Sequence, residues 1–231
     1  MSTRTRRLLL LSLGGVVTLA VLIIGGTYLY VNVISDDAPA PLALDESGGG
    51  AGSGSGADLE GTWTITDGSE AGYRVDEVLN GQDKTVVGRT SDVSGQITVA
   101  DGSATEAEVV VDMTTVTTDS DSRDSQFRGP IMLTDEFPAS TFRLTEPVAL
   151  ADLNGSQPAS VTATGELTLR DVTQPVEAEV DLQVSGAEVQ IAGSIPITFA
   201  DFEIEAPNLG FVRVEDAGVV EFLLTLKQEG S

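Results

Sequence analysis

The chain has 231 residues, 36 of them acidic against 12 basic, a net charge of −24, and neither histidine nor cysteine. Without cysteine there are no disulfides, thiolate metal sites, cysteine nucleophiles or lipid-modified N-terminal cysteine; without histidine, serine–histidine triads and ordinary zinc sites are excluded. The acidic excess repels nucleic-acid phosphates, which rules out a nucleic-acid partner, and reads as a solvated, aggregation-resistant exterior.

Residues 8–34 are apolar apart from scattered serine, threonine, asparagine, glycine and tyrosine. That run exceeds the roughly 20 residues needed to cross a bilayer core as a helix. Arg4, Arg6 and Arg7 precede it, and Asp36 and Asp37 follow it. The positive-inside rule then predicts a cytoplasmic N-terminus over 1–7 and a single-pass signal anchor over 8–34 (Leu8 to Ile34). The rest of the chain is expected outside the cell membrane. A cleaved signal peptide would have a shorter apolar region, about 7–15 residues. The nearby small-x-small site, Ala38-Pro39-Ala40, also runs into Pro41, a poor residue after a scissile bond.

Residues 35–60 combine Pro39 and Pro41 with a glycine- and serine-rich run from Gly48 to Gly56. Too few apolar side chains are present to bury a core, so this stretch reads as a flexible linker. No strand precedes the glycines and no helix follows, which argues against a phosphate-cradling loop.

A globular domain is expected over 61–228. Strands are predicted at 62–66, 72–79, 85–89, 92–100, 105–116, 141–148, 161–170, 175–185, 188–199 and 219–227. Turn signals fall between them at Asp67-Gly68, Asn80-Gly81, Asp101-Gly102, Asn154-Gly155 and Ser185-Gly186. The period of two is clearest from Val176 to Val184, where apolar and polar residues alternate without exception. The polar stretch 171–175 is read as the connection joining this strand to its predecessor in an antiparallel hairpin. One or two short helical turns are expected between Ser120 and Phe137, interrupted by Gly129-Pro130. Nothing alternates helices with these strands, so the fold is all-β, an antiparallel barrel or sandwich.

Few residues suggest chemistry. Asp119 to Asp124 starts like a calcium loop, but Arg123 takes a ligand position and neither the mid-loop glycine nor the terminal glutamate is present. Asn154-Gly155-Ser156 fits a glycosylation sequon, though Asn-Gly is also a common tight turn. A catalytic carboxylate pair cannot be singled out among so many acids, and those of the best strands lie on the polar face. No enzymatic activity is expected, and no metal site or cofactor. What remains is the apolar face. It would present Val109, Val111 and Met113 from one strand, Ala163 and Leu167 from another, then Ala178, Val180, Ile191 and Phe222. Any one of these could be plain core. Ala107, Ala163, Gly165, Ala178 and Gly193, all small, tilt the collective reading toward a cavity able to hold an apolar ligand.

Several ordered motifs resemble one family. Trp63-Thr64-Ile65 is similar to its first strand. Val111-Asp112-Met113-Thr114-Thr115-Val116-Thr117-Thr118, Arg123-Asp124 and Phe137-Pro138-Ala139-Ser140-Thr141-Phe142 follow in the family's order. The closest stretch is Gly165-Glu166-Leu167-Thr168-Leu169-Arg170-Asp171-Val172-Thr173-Gln174-Pro175-Val176, and Phe199-Ala200-Asp201-Phe202 fits a late element. Together they resemble the YceI-like domain, a lipocalin-like barrel that binds polyisoprenoid lipids. Gln126 and Phe127 stand where that family carries histidine and leucine, and Asp171 stands in place of a glycine. The resemblance implies a single antiparallel barrel of about eight strands that carries or sequesters an isoprenoid lipid. Phe127, Phe137, Phe142 and Phe199 then join the apolar face as ligand-binding candidates. A polyprenyl phosphate or an isoprenoid quinone is the implied ligand class. Arg123, Arg128 and Arg143 are candidates for its headgroup, with ion pairing to Asp121, Asp124 or Glu136 the competing role. The alternative is a structural or interaction barrel with a packed interior.

Overall fold

The computed structural model describes residues 38–44, 59–79, 81–150, 158–185, 187–208, 210 and 212–228. The anchor expected over 8–34 and most of the linker lie outside them. Among the described residues no helix is long and apolar enough to cross a membrane.

Among the described residues twelve strands run in chain order: β1 (Gly61–Ile65), β2 (Glu70–Leu79), β3 (Gln82–Thr90), β4 (Val93–Ala100), β5 (Ser103–Asp112) and β6 (Ala139–Leu144). The short β7 (Val148–Ala149), then β8 (Ala159–Leu169), β9 (Val172–Ser185), β10 (Glu188–Thr198), β11 (Val212–Val214) and β12 (Ala217–Gln228) complete them. All pairings are antiparallel, in the order β1-β4-β5-β6-β8-β9-β10-β12, and β12 returns to β1 to close an eight-stranded barrel. Closure removes the exposed edges that an open sheet of this size would leave.

β12 is long enough to serve two partners. Leu226 to Gln228 pair with β1, and Val219 to Leu223 pair with β2. The corner between β1 and β2 is pinned on Thr225. Its carbonyl accepts from the Thr66 amide at 2.8 Å, and its amide donates to the buried Ser69 hydroxyl at 3.0 Å. β3 hangs on β2 and meets the far side of the barrel through reciprocal backbone hydrogen bonds between Arg89 and Thr117.

Besides β6 ending at Leu144 inside the strand predicted over 141–148, the structure departs from the predicted elements in four places. The strand predicted over 105–116 ends at Asp112, whose carboxylate accepts from the Thr114 amide at 2.9 Å and starts a tight turn, Met113–Thr115. Gly129-Pro130 does not interrupt the helical stretch. Helix α1 (Asp121–Gln126) passes directly into a wider turn, Phe127–Ile131, that contains Pro130. Pro130 has no amide to donate, and the turn carries on past it through the Met132 and Leu133 amides, which donate to the Phe127 and Gly129 carbonyls at 2.8 and 3.0 Å. β11 was not visible in the sequence, being three residues long.

The fourth departure is the β8–β9 hairpin. Its connection is not 171–175 but two residues, Arg170 (φ 49°) and Asp171 (φ 65°), both left-handed. That is the twist a two-residue hairpin requires, and glycine adopts it at least cost. Asp171→Gly relieves about 1–2 kcal/mol of left-handed strain against roughly 0.5–1 kcal/mol of added backbone freedom in the unfolded chain, so a net stabilisation is expected, read as a rise in denaturant midpoint at unchanged slope.

Inside the barrel, Trp63, Leu167, Leu169, Val180, Leu182, Ile191, Leu224 and Leu226 belong to one buried apolar cluster. Outside, the strands are mostly polar. Glu221 points outward from β12 yet is only 3 % exposed, held by Arg89 at 2.7 Å and Arg74 at 3.4 Å. Residues 38–44, expected within the flexible linker, lie without regular secondary structure beside this cluster on the outer wall.

Candidate functional site

The barrel interior holds two adjoining cavities. The narrow one, about 140 Å³, is lined almost wholly by apolar side chains, among them Trp63, Ile97, Val109, Phe142, Leu167 and Ile191. The wide one, about 350 Å³, lies at the barrel end covered by α1 and is bordered by Met113, Phe127, Phe199, Ile204, Tyr73 and Arg123. Ala71, Val111, Ser140 and Val220 line both, so the two cavities meet around that ring.

The predicted lining residues sort between them. Val109, Phe142, Ala163, Leu167, Ala178, Val180, Ile191 and Phe222 border the narrow cavity. Met113, Phe127 and Phe199 border the wide one, and Val111 borders both. Phe137 borders neither; it sits where the helical turns end, its amide donating to the Leu133 carbonyl at 2.9 Å.

The small inner residues have a more particular role than leaving space. A Cβ on Gly165 would lie 2.4 Å from the Phe142 ring, and one on Gly193 would lie 2.5 Å from the Phe222 ring. Each glycine seats an aromatic ring from the next strand flat against the wall, so part of the room predicted from small residues is already filled by phenylalanine. Gly193→Ala would also bring its methyl to 2.7 Å from the Glu179 carbonyl oxygen. It should destabilise by about 1–3 kcal/mol, measurable as a fall in melting temperature.

The wide cavity has one polar side. Arg123, on α1, donates to Glu77 at 3.2 Å and to Asp119, which also takes Lys84 at 3.1 Å. Burial would raise the Asp119 carboxyl, but the Lys84 hydrogen bond and the nearby Arg123 charge outweigh it and hold the group below its ordinary range. Tyr73 stacks on Phe127 with ring centres 5.1 Å apart. Burial, reinforced by the Asp124 and Glu77 carboxylates against Arg123, pushes its phenol far above the usual value. Tyr73 thus remains a neutral hydroxyl at any physiological pH.

The three arginines predicted for a headgroup do not converge. Arg123 borders the wide cavity, but its partners are Glu77 and Asp119 rather than Asp121, Asp124 or Glu136. Arg128 donates to the Val116 carbonyl at 3.3 Å. Arg143 is 64 % exposed on the outer face of β6 and pairs with Glu108 across the strands, far from a role inside the barrel. An even number of strand positions separates it from outward Thr141, and alternation places it outside. The calcium-like loop is likewise committed: Asp124 is buried and accepts from the Thr118 amide and hydroxyl at 2.8 and 2.7 Å.

Tyr73, Glu77 and Lys84 were missed in the sequence. They come from β2 and β3, and nothing local indicates that α1 will fold back over them.

The YceI-like domain matches residues 63–226. The chain belongs to the YceI-like domain family. YceI-like domains are binding-protein barrels, not enzymes. Among solved structures, a polyisoprenoid-binding domain from Saccharophagus degradans implicated in plant cell wall breakdown is similar, at 23% identity and TM-score 0.59. The match covers 72% of this chain and 98% of that one. BcnA from Burkholderia cenocepacia is 18% identical with TM-score 0.53, covering 66% of this chain and 95% of its own. At these identities the likeness establishes the shared fold. No curated protein matches the chain.

Proposed function

We propose that this YceI-like barrel holds the apolar chain of an isoprenoid lipid in its two adjoining cavities, outside the cell membrane to which residues 8–34 anchor it. The observation that carries this reading is the apolar lining that continues from the wide cavity into the narrow one. The description of the Saccharophagus degradans domain as polyisoprenoid-binding supports the ligand class. A cavity of about 150 Å³ admits a benzene-sized group, so a longer chain has to run through both cavities. Each buried CH₂ contributes about 0.8 kcal/mol, which lets a chain of many carbons compete with the bilayer.

Charge favours a neutral head over a phosphate. Both arginines that border the wide cavity are already ion-paired, Arg123 with Glu77 and Asp119, Arg74 with Glu221. A phosphate would have to displace a carboxylate from one of them and leave it uncompensated near the barrel interior. A quinone or alcohol head needs only hydrogen bonds, which Tyr73 and Gln126 can supply.

The test is mass spectrometry of organic extracts from the purified full chain, followed by reloading of the delipidated protein. A polyisoprenoid should be recovered. A polyprenol or isoprenoid quinone should rebind at least about tenfold more tightly than a polyprenyl diphosphate, the equivalent of ~1.4 kcal/mol. Recovery of no lipid from any preparation, with no rebinding, would return the barrel to a structural or interaction role.

A further inference from the structure

The outer wall carries an arrangement that lipid binding does not require. Ala192 alternates with the inward Ile191 on β10 and so faces outward, yet it is only 3 % exposed. The segment 38–44 lies across this wall. Pro41, Leu42 and Ala43 border a groove with Glu179 and Asp181 of β9, Ala192 of β10 and Glu221 of β12. From Pro41 to Leu44 the exposed Pro41 and Ala43 alternate with the half-buried Leu42 and Leu44, while Pro39 and Ala40 are both exposed. Over those four residues the period of two is the mark of a chain with one face laid on a surface.

The backbone of the segment is gripped as well. Arg74 donates to the Pro39 carbonyl at 2.6 Å, and Arg89 donates to the Ala40 carbonyl at 2.5 Å. Glu221 aims both guanidiniums, since it pairs with each of them. Pro39 and Pro41 have fixed φ, so docking them loses less conformational freedom than docking other residues. Arg74 also borders the wide cavity, which puts the grip beside the cavity's wall.

We propose that residues 38–44 are a strap that fixes the barrel's orientation and holds the wide cavity close to the bilayer; this rests on the anchor read over 8–34. From residue 34 to residue 38 the chain can span at most about 15 Å. A free linker over 35–60 would instead reach roughly 28 Å on average. The Gly/Ser run after Leu44 then serves to lead the chain from the strap to β1, not to separate barrel from membrane. A lipid chain can pass between bilayer and cavity without exposing its length to water.

The absence of cysteine makes the test clean. The full chain is reconstituted in phosphatidylcholine–phosphatidylglycerol vesicles, with a nitroxide on Ala43→Cys in one sample. In another, a fluorophore on Ser122→Cys beside the wide cavity is paired with an acceptor lipid. Leu42→Asp, set against Glu179 and Asp181, is the releasing variant, and it lies outside the barrel core. The expected result is an immobilised nitroxide and strong energy transfer. Leu42→Asp should free the nitroxide and cut transfer by about half or more, as the reach grows toward that of a free linker. A mobile nitroxide without Leu42→Asp overturns the strap whether or not the protein stays with the vesicles. An immobilised nitroxide on protein that does not pellet with vesicles overturns the anchor and the orienting role, and leaves the strap as a wall contact. Transfer unchanged by Leu42→Asp, with the nitroxide freed, overturns the orienting role alone.

Discussion

Ala163→Trp is expected to abolish retention of a polyisoprenoid while leaving the barrel folded. Ala163 borders the narrow cavity and stands opposite Ala178 across β8 and β9. The two positions differ in what a larger side chain would meet. Ala178 is 1 % exposed, so a tryptophan there overpacks at a cost of about 1–3 kcal/mol or more. Ala163 is only half-buried, and an indole from it can enter a cavity of about 140 Å³. Since a void of about 150 Å³ holds one benzene-sized group, the indole leaves no passage for a lipid chain. Extraction and mass spectrometry beside a thermal melt check both halves of the expectation. A collapse in stability with no lipid ever recovered from the parent chain would mark Ala163 as ordinary core.

The largest loss of stability is expected from removing both arginines around Glu221. Arg74→Met with Arg89→Met leaves a carboxylate that is 3 % exposed without a counter-charge. Breaking a buried pair in this way typically costs about 3–5 kcal/mol. Either single change should cost much less, because the other guanidinium stays in place. Adding Glu221→Gln to the double variant should restore a large part of the loss, since a neutral amide needs hydrogen bonds but no partner charge. Chemical denaturation of the four proteins checks this ordering. A double variant no worse than the singles would show that Glu221 is solvated well enough without them.

The alternation in β8, β9, β10 and β12 was legible because it is a local property of an extended chain. Leu167, Val180 and Ile191 line the cavity, while Glu166 and Glu179 are exposed, as the period of two required. Family membership was legible for a similar reason, since its motifs are short and keep their order along the chain. Element ends were less so. A two-residue turn at Arg170 and Asp171 uses left-handed backbone on residues that do not advertise it.

The site divides along the same line. Which residues could face a lumen followed from side-chain periodicity alone, a consequence of backbone geometry that needs no knowledge of neighbours. What fills that lumen was decided by contacts between strands distant in sequence. Gly165 and Gly193 read as open space until Phe142 and Phe222 are seen resting on them. Arg123 read as a headgroup candidate or a partner of Asp121, Asp124 or Glu136, until the fold brings Glu77 of β2 within 3.2 Å of it. The strap read as linker because its affinity lies in a groove built by β2, β3, β8, β9, β10 and β12, none of which is near it in the chain. Charge pairing and docking depend on distance in space, and only closure of the barrel sets those distances.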